Sequence, residues 1–186
     1  MAKRLFIAVD VDKTVREEIG RISEALRPRI EPLTRASWVR PDRMHLTLHF
    51  FGSADVRVEE QICGALAGPI SEAAFNLSFE GLGIFPERGS PRVLWLGIRD
   101  GLDSLRRIQG ALAGQLRLPP QPEGHFTPHL TLARFKDRPS RAGLAKTTDI
   151  RALAGPSRID RVTLYESRLS PSGPTYVPLA EALLRT

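Results

Sequence analysis

His-Leu-Thr-Leu stands at residues 45–48 of this chain and again at residues 129–132. The chain has 186 residues and only four histidines, and two of these open the two copies. Polar and apolar residues alternate within each copy, which is typical of a β-strand. In a strand the histidine and the threonine share one face and the two leucines share the other. The repeat therefore predicts a symmetric site assembled from two related parts.

The surroundings of the two copies are also similar. An apolar strand is predicted at Arg4–Val9 and again at Arg92–Ile98, and each is followed by a helical pattern of apolar residues and then by a loop that leads to the motif. This common order indicates a structural duplication. Strands and helices mixed along the chain with short connections predict the α+β class, and the length fits one domain over residues 1–186.

The amino-acid composition excludes some classes of protein and favours one class of partner. Hydrophobic residues make up 41% and charged residues 26%, as in ordinary globular proteins. No stretch approaches the roughly 20 apolar residues of a membrane helix, and the run Leu5–Val9 is too short for a signal peptide, so we expect a cytoplasmic protein without a membrane partner. A single cysteine, Cys63, excludes an intramolecular disulfide and a zinc site of several cysteines. The net charge of +6 favours a polyanionic partner, nucleic acid first.

Two imidazoles and two hydroxyls facing one pocket suit the cleavage of a phosphate ester. A neutral imidazole can take a proton from water while an imidazolium opposite it gives one to the leaving oxygen, and both roles need a pKa near the ordinary histidine value of about 6.5. The hydroxyls of Thr47 and Thr131 can donate hydrogen bonds to phosphate oxygens. Neither tetrapeptide contains a carboxylate, so a glycosidase with two carboxylates is not expected.

Other roles for the histidines have to be weighed. A single histidine in an apolar strand is usually structural, but two copies in matched contexts favour function. His45 and His49 would share a zinc ion only on a helix, whereas four positions in a strand span about 13 Å, so no metal site is predicted. His49 and His125 have no counterpart in the other copy and are expected to be peripheral, although His125 lies in the loop before the second motif and could approach substrate.

These features resemble the 2H phosphoesterase superfamily, which is named for two His-x-Thr motifs, and within it the RNA 2′,3′-cyclic phosphodiesterase family, also called the 2′-5′ RNA ligase family. The resemblance extends over nearly the whole chain. It comprises the segments Arg4–Asp10, Trp38–Pro41, His45–Gly52, Pro91–Gly97, Pro128–Arg134 and Leu169–Tyr176.

The resemblance implies two pseudo-symmetric lobes, each an antiparallel sheet with helices on the outside, and a central cleft. It also implies the opening of an RNA 2′,3′-cyclic phosphate to a 2′-phosphate without a metal or cofactor. By position, His129 corresponds to the base and His45 to the acid, while Thr47 and Thr131 correspond to phosphate ligands. The expected partners are RNA with 2′,3′-cyclic phosphate ends or cyclic nucleotides, and the protein is expected to be a monomer.

Two further substrate contacts follow from the same resemblance. Arg134 matches an arginine that often follows the second motif and would hold the phosphate, and Phe50, at the same offset in the first motif, would stack on the terminal base. Both lie five positions after a catalytic histidine, and in a regular strand such positions point to opposite faces. We therefore predict a strong twist or a β-bulge between each histidine and its partner.

Three alternatives stay open at the level of sequence. The same scaffold could be a non-catalytic nucleotide- or RNA-binding module. It could also act as an RNA ligase that joins a 2′,3′-cyclic end to a 5′-hydroxyl by the reverse reaction. A metal-dependent hydrolase is the third alternative.

Overall fold

The computed structural model describes residues 2–118, 126–148, 150–171 and 173–185. Within these residues the chain forms two five-stranded sheets and four α-helices. The strands are β1 (Lys3–Asp10), β2 (Ala36–Trp38), β3 (His45–Ala54), β4 (Ile70–Ala73), β5 (Phe75–Phe85), β6 (Val93–Asp100), β7 (Leu130–Phe135), β8 (Leu153–Ile159), β9 (Arg161–Arg168) and β10 (Thr175–Arg185), and the helices are α1 (Lys13–Ile30), α2 (Val56–Ala65), α3 (Leu102–Gln115) and α4 (Arg141–Thr147).

The two sheets share a four-strand plan. The order is β3-β1-β9-β10-β4 in the first sheet and β2-β7-β6-β5-β8 in the second. In each sheet the strand that carries the motif pairs with the first strand of the same half of the chain, β3 with β1 and β7 with β6. Two further strands extend each sheet on the other side of that first strand, β9 and β10 beside β1, and β5 and β8 beside β6. All pairs are antiparallel except β4, which runs parallel to β10. The predicted bilobal α+β fold is confirmed, with this one parallel edge as a departure from purely antiparallel sheets.

The sheets do not follow the linear halves of the chain. Strand β2 comes from the first half but pairs with β7 in the second sheet, and its neighbour Val39 donates a backbone hydrogen bond to the Leu132 carbonyl. Strands β9 and β10 come from the end of the chain but complete the first sheet. The two sheets are therefore linked by strand exchange as well as by sequence, and both motif strands become part of one packed unit.

The middle of strand β1, residues 5–9, is apolar because both of its faces are covered. It lies between β3 and β9, and residues 5–9 are all buried. Leu5, Ile7 and Val9 point into the main apolar core, while Phe6 and Ala8 lie on the opposite face, as the two-residue period of a strand requires. That opposite face is the one that carries the histidine of β3.

The helices pack apolar stripes against this core. In α1 the buried residues Val15, Ile19, Leu26 and Ile30 recur at helical spacing. Helix α2 begins after Asp55, whose carboxylate accepts hydrogen bonds from the second and third backbone N–H groups that follow it. In the part of the chain that the structure describes, no helix combines the length and apolar character needed to cross a bilayer.

Candidate active site

The two motifs take equivalent places in the two sheets. His45 is the first residue of β3, and His129 directly precedes β7. Thr47 lies opposite Ala8 of β1, and Thr131 lies opposite Trp95 of β6. The leucines of both motifs are buried, whereas the histidines are half-buried. This is the division of faces that the alternating pattern predicted.

Both imidazoles are held by the same backbone contact. Nδ1 of His45 lies 2.8 Å from the Arg43 carbonyl oxygen, and Nδ1 of His129 lies 2.8 Å from the Thr127 carbonyl oxygen. A carbonyl can only accept, so each Nδ1 must carry the proton and donate it. Nε2 of each ring is consequently the nitrogen that can accept or release a proton in a reaction.

Aromatic side chains enclose the two rings from different directions. Phe6 stacks on His45 with ring centroids 4.9 Å apart, and Tyr176 meets His45 edge-on at 5.0 Å. His129 meets the edge of Phe85 at 4.9 Å and lies 6.1 Å from Trp95. These contacts fix the ring planes and remove water from part of each ring.

The pKa values of both histidines are lowered. Burial is the main cause for the pKa of His45, opposed by the hydrogen bond to the Arg43 carbonyl and by the negative charge of Asp10. Burial also lowers the pKa of His129, opposed by its bond to the Thr127 carbonyl. The Nδ1 contacts thus favour the charged rings, and burial, the larger effect, disfavours them.

A β-bulge follows the threonine in each motif. Thr47 pairs with Ala8 but His49 already pairs with Ile7, so Leu48 is an extra residue in β3. The β6–β7 ladder has the same irregularity between Thr131 and Ala133. A bulge changes the alternation of faces from that point onward. The two motifs therefore share the distortion as well as the sequence.

The bulges bring the fifth residue after each histidine back to the histidine face. Arg134 is exposed between the buried residues Ala133 and Phe135, and Phe50 is 53% exposed. The sequence prediction of a twist or bulge at this place is thus confirmed for both strands. The guanidinium of Arg4 lies over the Phe50 ring, 5.5 Å from its centroid.

The positive charge of Arg134 acts on the histidines of both motifs. Burial is the main influence on three pKa values, lowering those of His129 and His45 and raising that of Tyr176, and the positive charge of Arg134 acts downward on all three. Strands β3 and β7 also contact each other directly. The same guanidinium therefore contributes to the electrostatic environment of both rings.

The remaining histidines have separate positions. His49 lies opposite Ile7, on the other side of β3 from His45, and packs against Phe51 at a centroid distance of 4.4 Å. Burial lowers the pKa of His49. This location fits the expectation that His49 is peripheral. The prediction for His125 lies outside the described residues.

Three residues near His45 were not singled out from the sequence. Asp10 lies directly opposite His45 across the β1–β3 ladder, and Tyr165 donates a hydrogen bond of 2.6 Å to the Asp10 carboxylate. Tyr176 contacts the ring itself. The two-residue period of a strand predicts that Phe6, Ala8 and Asp10 lie on one face of β1. The sequence does not predict which strands pair with β1, so it does not place Asp10 beside His45.

The described residues contain no group of three or more histidine, cysteine, aspartate or glutamate side chains placed to hold a metal ion. The groups that gather around the two motifs are instead imidazoles, hydroxyls, a guanidinium and aromatic rings. Such a set can transfer protons and bind an anion.

Comparison with known proteins places the chain in a family. A family model described as the 2′-5′ RNA ligase superfamily matches residues 11–170. The chain belongs to the 2′-5′ RNA ligase superfamily, and the resemblance seen in the sequence is confirmed. Relatives include the RNA 2′,3′-cyclic phosphodiesterase of Thermotoga maritima, 34% identical over 96% of this chain and 94% of the relative, and that of Methanothermobacter thermautotrophicus, 31% identical over 96% and 97%.

The fold is also similar to solved structures. The crystal structure of E. coli LigT complexed with 3′-AMP aligns with a TM-score of 0.76 at 28% identity and covers 100% of this chain and 99% of that one. The likeness therefore includes both sheets and both motif strands.

Proposed function

We propose that this protein opens RNA 2′,3′-cyclic phosphate ends to 2′-phosphates by metal-independent acid–base catalysis, with His129 as the base and His45 as the acid. The comparisons show that the protein is a cyclic phosphodiesterase of the 2′-5′ RNA ligase superfamily. The observation that carries the mechanism is the pair of imidazoles with matched Nδ1 bonds, both within reach of the Arg134 charge.

The proton transfers balance over one turnover. Nε2 of neutral His129 takes a proton from a water molecule as its oxygen bonds to phosphorus. The bond from phosphorus to O3′ breaks, and O3′ takes a proton from Nε2 of the His45 imidazolium. The products are a 2′-phosphate and a 3′-hydroxyl, and exchange with solvent restores both rings. Each proton transfer of this kind typically contributes about 10²–10⁴ in rate.

The hydroxyls and the guanidinium hold the phosphate in this proposal. Thr47 and Thr131 share the histidine faces of their strands, so their hydroxyls can donate to the two non-bridging oxygens. Arg134 returns to that face through the bulge in β7 and offers a charged fork to the same oxygens. A cation beside the phosphorus stabilises the extra negative charge that develops during attack.

The terminal base has a candidate surface on the β3 side. Phe50 is more than half exposed, lies on the His45 face and carries Arg4 over its ring. Stacking on an exposed aromatic ring is a common way to hold an unpaired RNA base. A base held there would fix the orientation of the ribose and so determine which ester oxygen lies beside His45.

Ligation is the same chemistry in reverse. A 5′-hydroxyl in place of water would give a 2′-5′ bond, and the same two rings could serve both directions. Water is present at about 55 M and competes with any RNA hydroxyl that is not held in place. We therefore assign hydrolysis as the main reaction and ligation as a side reaction.

Product analysis tests the proposal. The protein is incubated with a nucleoside 2′,3′-cyclic phosphate and EDTA, and the reaction is followed by phosphorus NMR. We expect the cyclic diester signal to be replaced by a 2′-phosphate signal. Binding without conversion would instead favour the non-catalytic module, loss of turnover with EDTA would favour a metal-dependent hydrolase, and a 3′-phosphate product would overturn the assignment of His45 to O3′.

A further inference from the structure

The two histidines differ in one neighbouring group. Asp10 lies opposite His45 in the β1–β3 ladder, and residues paired in this way carry their side chains on one face with Cβ atoms about 5 Å apart. In the other sheet Leu96 lies opposite Leu130, so the next residue, Gly97, takes the corresponding place opposite His129. Among the described residues, His45 therefore has a carboxylate beside it and His129 has none.

The second sheet has no room for an equivalent carboxylate. A Cβ at Gly97 would lie 2.6 Å from the backbone oxygen of Glu80 and 3.5 Å from the Trp95 ring. The backbone oxygen cannot swing away as a flexible side chain can, so a side chain at this position requires a shift of the strand. The asymmetry is thus built into the packing of β5 against β6.

Asp10 is also held in a fixed position. The Tyr165 hydroxyl donates to its Oδ2 at 2.6 Å, and the Thr163 hydroxyl lies 3.5 Å from the same oxygen. Burial, together with this hydrogen bond and the Asp10 charge, raises the pKa of Tyr165, so the phenol stays protonated and continues to donate at neutral pH. Tyr165 in turn stacks on Phe6, which stacks on His45.

We propose that Asp10, anchored by Tyr165, is a positioning residue that makes His45 rather than His129 the ring that enters turnover as the imidazolium. The inference rests on the proposed function, and it supplies the physical reason why two nearly equivalent rings take different roles. Asp10 acts through His45 and is assigned no contact with the substrate.

The charges around His45 agree with this assignment. Among the described residues, Asp10 on β1 favours the charged ring and Arg134 on β7 opposes it, while the half-buried phenols Tyr165 and Tyr176 are neutral neighbours on β9 and β10. For His129, Arg134 opposes the charged ring, and no carboxylate of residues 2–118, 126–148, 150–171 or 173–185 acts in the other direction. The Asp10 charge partly offsets the lowering of the His45 pKa by burial, and it has no counterpart for His129 in the part of the chain that the structure describes.

The variant Asp10→Asn tests the inference, because asparagine keeps the shape and can still accept from Tyr165. We expect the alkaline limb of the kcat/KM profile to move to lower pH while the acid limb stays in place. At alkaline pH, kcat/KM should then fall by roughly tenfold or more, with a smaller loss at acid pH. The matched control is Asp103→Asn, which makes the same charge change on exposed helix α3 and should leave both limbs unmoved.

A second measurement does not depend on turnover. In a proton NMR titration of the ligand-free protein, the His45 ring signals of Asp10→Asn should titrate at lower pH than in the wild type, and those of His129 should be unchanged. An unmoved His45 titration, or equal displacement of both rings, overturns the role of Asp10. Absence of cyclic phosphodiesterase activity in the wild type would instead overturn the proposed function, and this titration would still report on Asp10.

Discussion

At the scale of single residues, the side chains beside each imidazole determine which histidine acts as the acid and which as the base. Each histidine donates its Nδ1 proton to a carbonyl two residues earlier in the chain, so both present the same nitrogen, Nε2, for proton exchange. The tautomer cannot distinguish acid from base. The distinction has to come from charges near each ring, of which Arg134 acts on both and Asp10 only on His45.

The shared guanidinium gives a first prediction. Arg134→Gln removes the cation that lowers the pKa of both His45 and His129, so both rings should titrate at higher pH. The loss of a charged hydrogen bond to phosphate should also lower kcat/KM by roughly 10- to 100-fold. Histidine ring signals in a proton NMR titration and steady-state kinetics check the two effects. Arg134→Lys is the matched control because it keeps the charge. Unmoved titrations in Arg134→Gln would contradict the influence of the Arg134 charge on both rings.

The threonine hydroxyls give a second prediction at this scale. Thr47→Ala and Thr131→Ala each remove one donor to a phosphate oxygen, and we expect each to lower kcat/KM by roughly tenfold or more. The corresponding serine variants retain the hydroxyl and should keep most of the activity. Wild-type kinetics in both alanine variants would show that these hydroxyls do not bind the phosphate.

At the scale of elements, the bulges determine what the motif strands present. Without the extra residues at Leu48 and Leu132, the alternation along β3 and β7 would turn Phe50 and Arg134 away from the histidines. The sequence could predict that such a distortion was needed, because two residues five apart had to share a face. The position of the bulge depends on the partner strands, which the sequence does not specify.

Other elements show where local patterns fail. The apolar residues and flanking turns of β5 (Phe75–Phe85) are local signals from which the strand can be predicted with its observed bounds. Local patterns do not reveal β8, because Gly155 and Pro156 interrupt it. The helical spacing of apolar residues in α2 continues to Ile70, although that residue lies in β4. Both strands are defined by long-range pairing. Asp10 is not predicted as a site residue for the same reason, because only the β1–β3 pairing makes it a neighbour of His45.

The packing of β5 on β6 gives a prediction at this scale. A Cβ at Gly83 would lie 2.0 Å from a ring atom of Trp95, and Trp95 lies opposite Thr131 and near His129. Gly83→Ala should therefore displace the indole, destabilise the protein by about 1–3 kcal/mol and reduce activity.

Urea unfolding and kcat/KM measure both effects. The matched control is Gly110→Ala in α3, where a Cβ meets nothing within 4 Å, and this change should stabilise the helix by about 0.5–1 kcal/mol. Equal stability and equal activity of Gly83→Ala and the wild type would show that the indole position is not important for the second motif.

At the scale of the whole molecule, the two sheets are tied together by exchanged strands. Strand β2 crosses to the second sheet and strands β9 and β10 return to the first, and the buried apolar residues of both sheets belong to one cluster. This arrangement makes the relative position of the two histidines a property of the entire fold. That residues 1–186 form a single domain of two lobes stays a prediction.

The lowered pKa values of the half-buried His45 and His129 lead to a prediction of how the stability of the whole protein depends on pH. The folded pKa values of His45 and His129 lie below their ordinary value of 6.5, so the unfolded chain binds more protons as the pH falls through about 6.5. Stability should therefore decrease from about pH 8 to about pH 5.5.

Urea unfolding midpoints at the two pH values measure this change. The double variant His45→Gln/His129→Gln lacks both rings but retains His49, and its decrease over the same range should be smaller. An equal decrease in the two proteins would contradict the assigned direction of the shifts.

One measurement tests most directly whether the two histidines divide the proton transfers. It is the rate at which His45→Ala and His129→Ala hydrolyse a nucleoside 2′,3′-cyclic phosphate. Circular dichroism verifies that each variant is folded. Each variant should lose about 10²–10⁴ in kcat/KM, since neither ring can perform both transfers. Near-normal turnover by either folded variant would contradict the account.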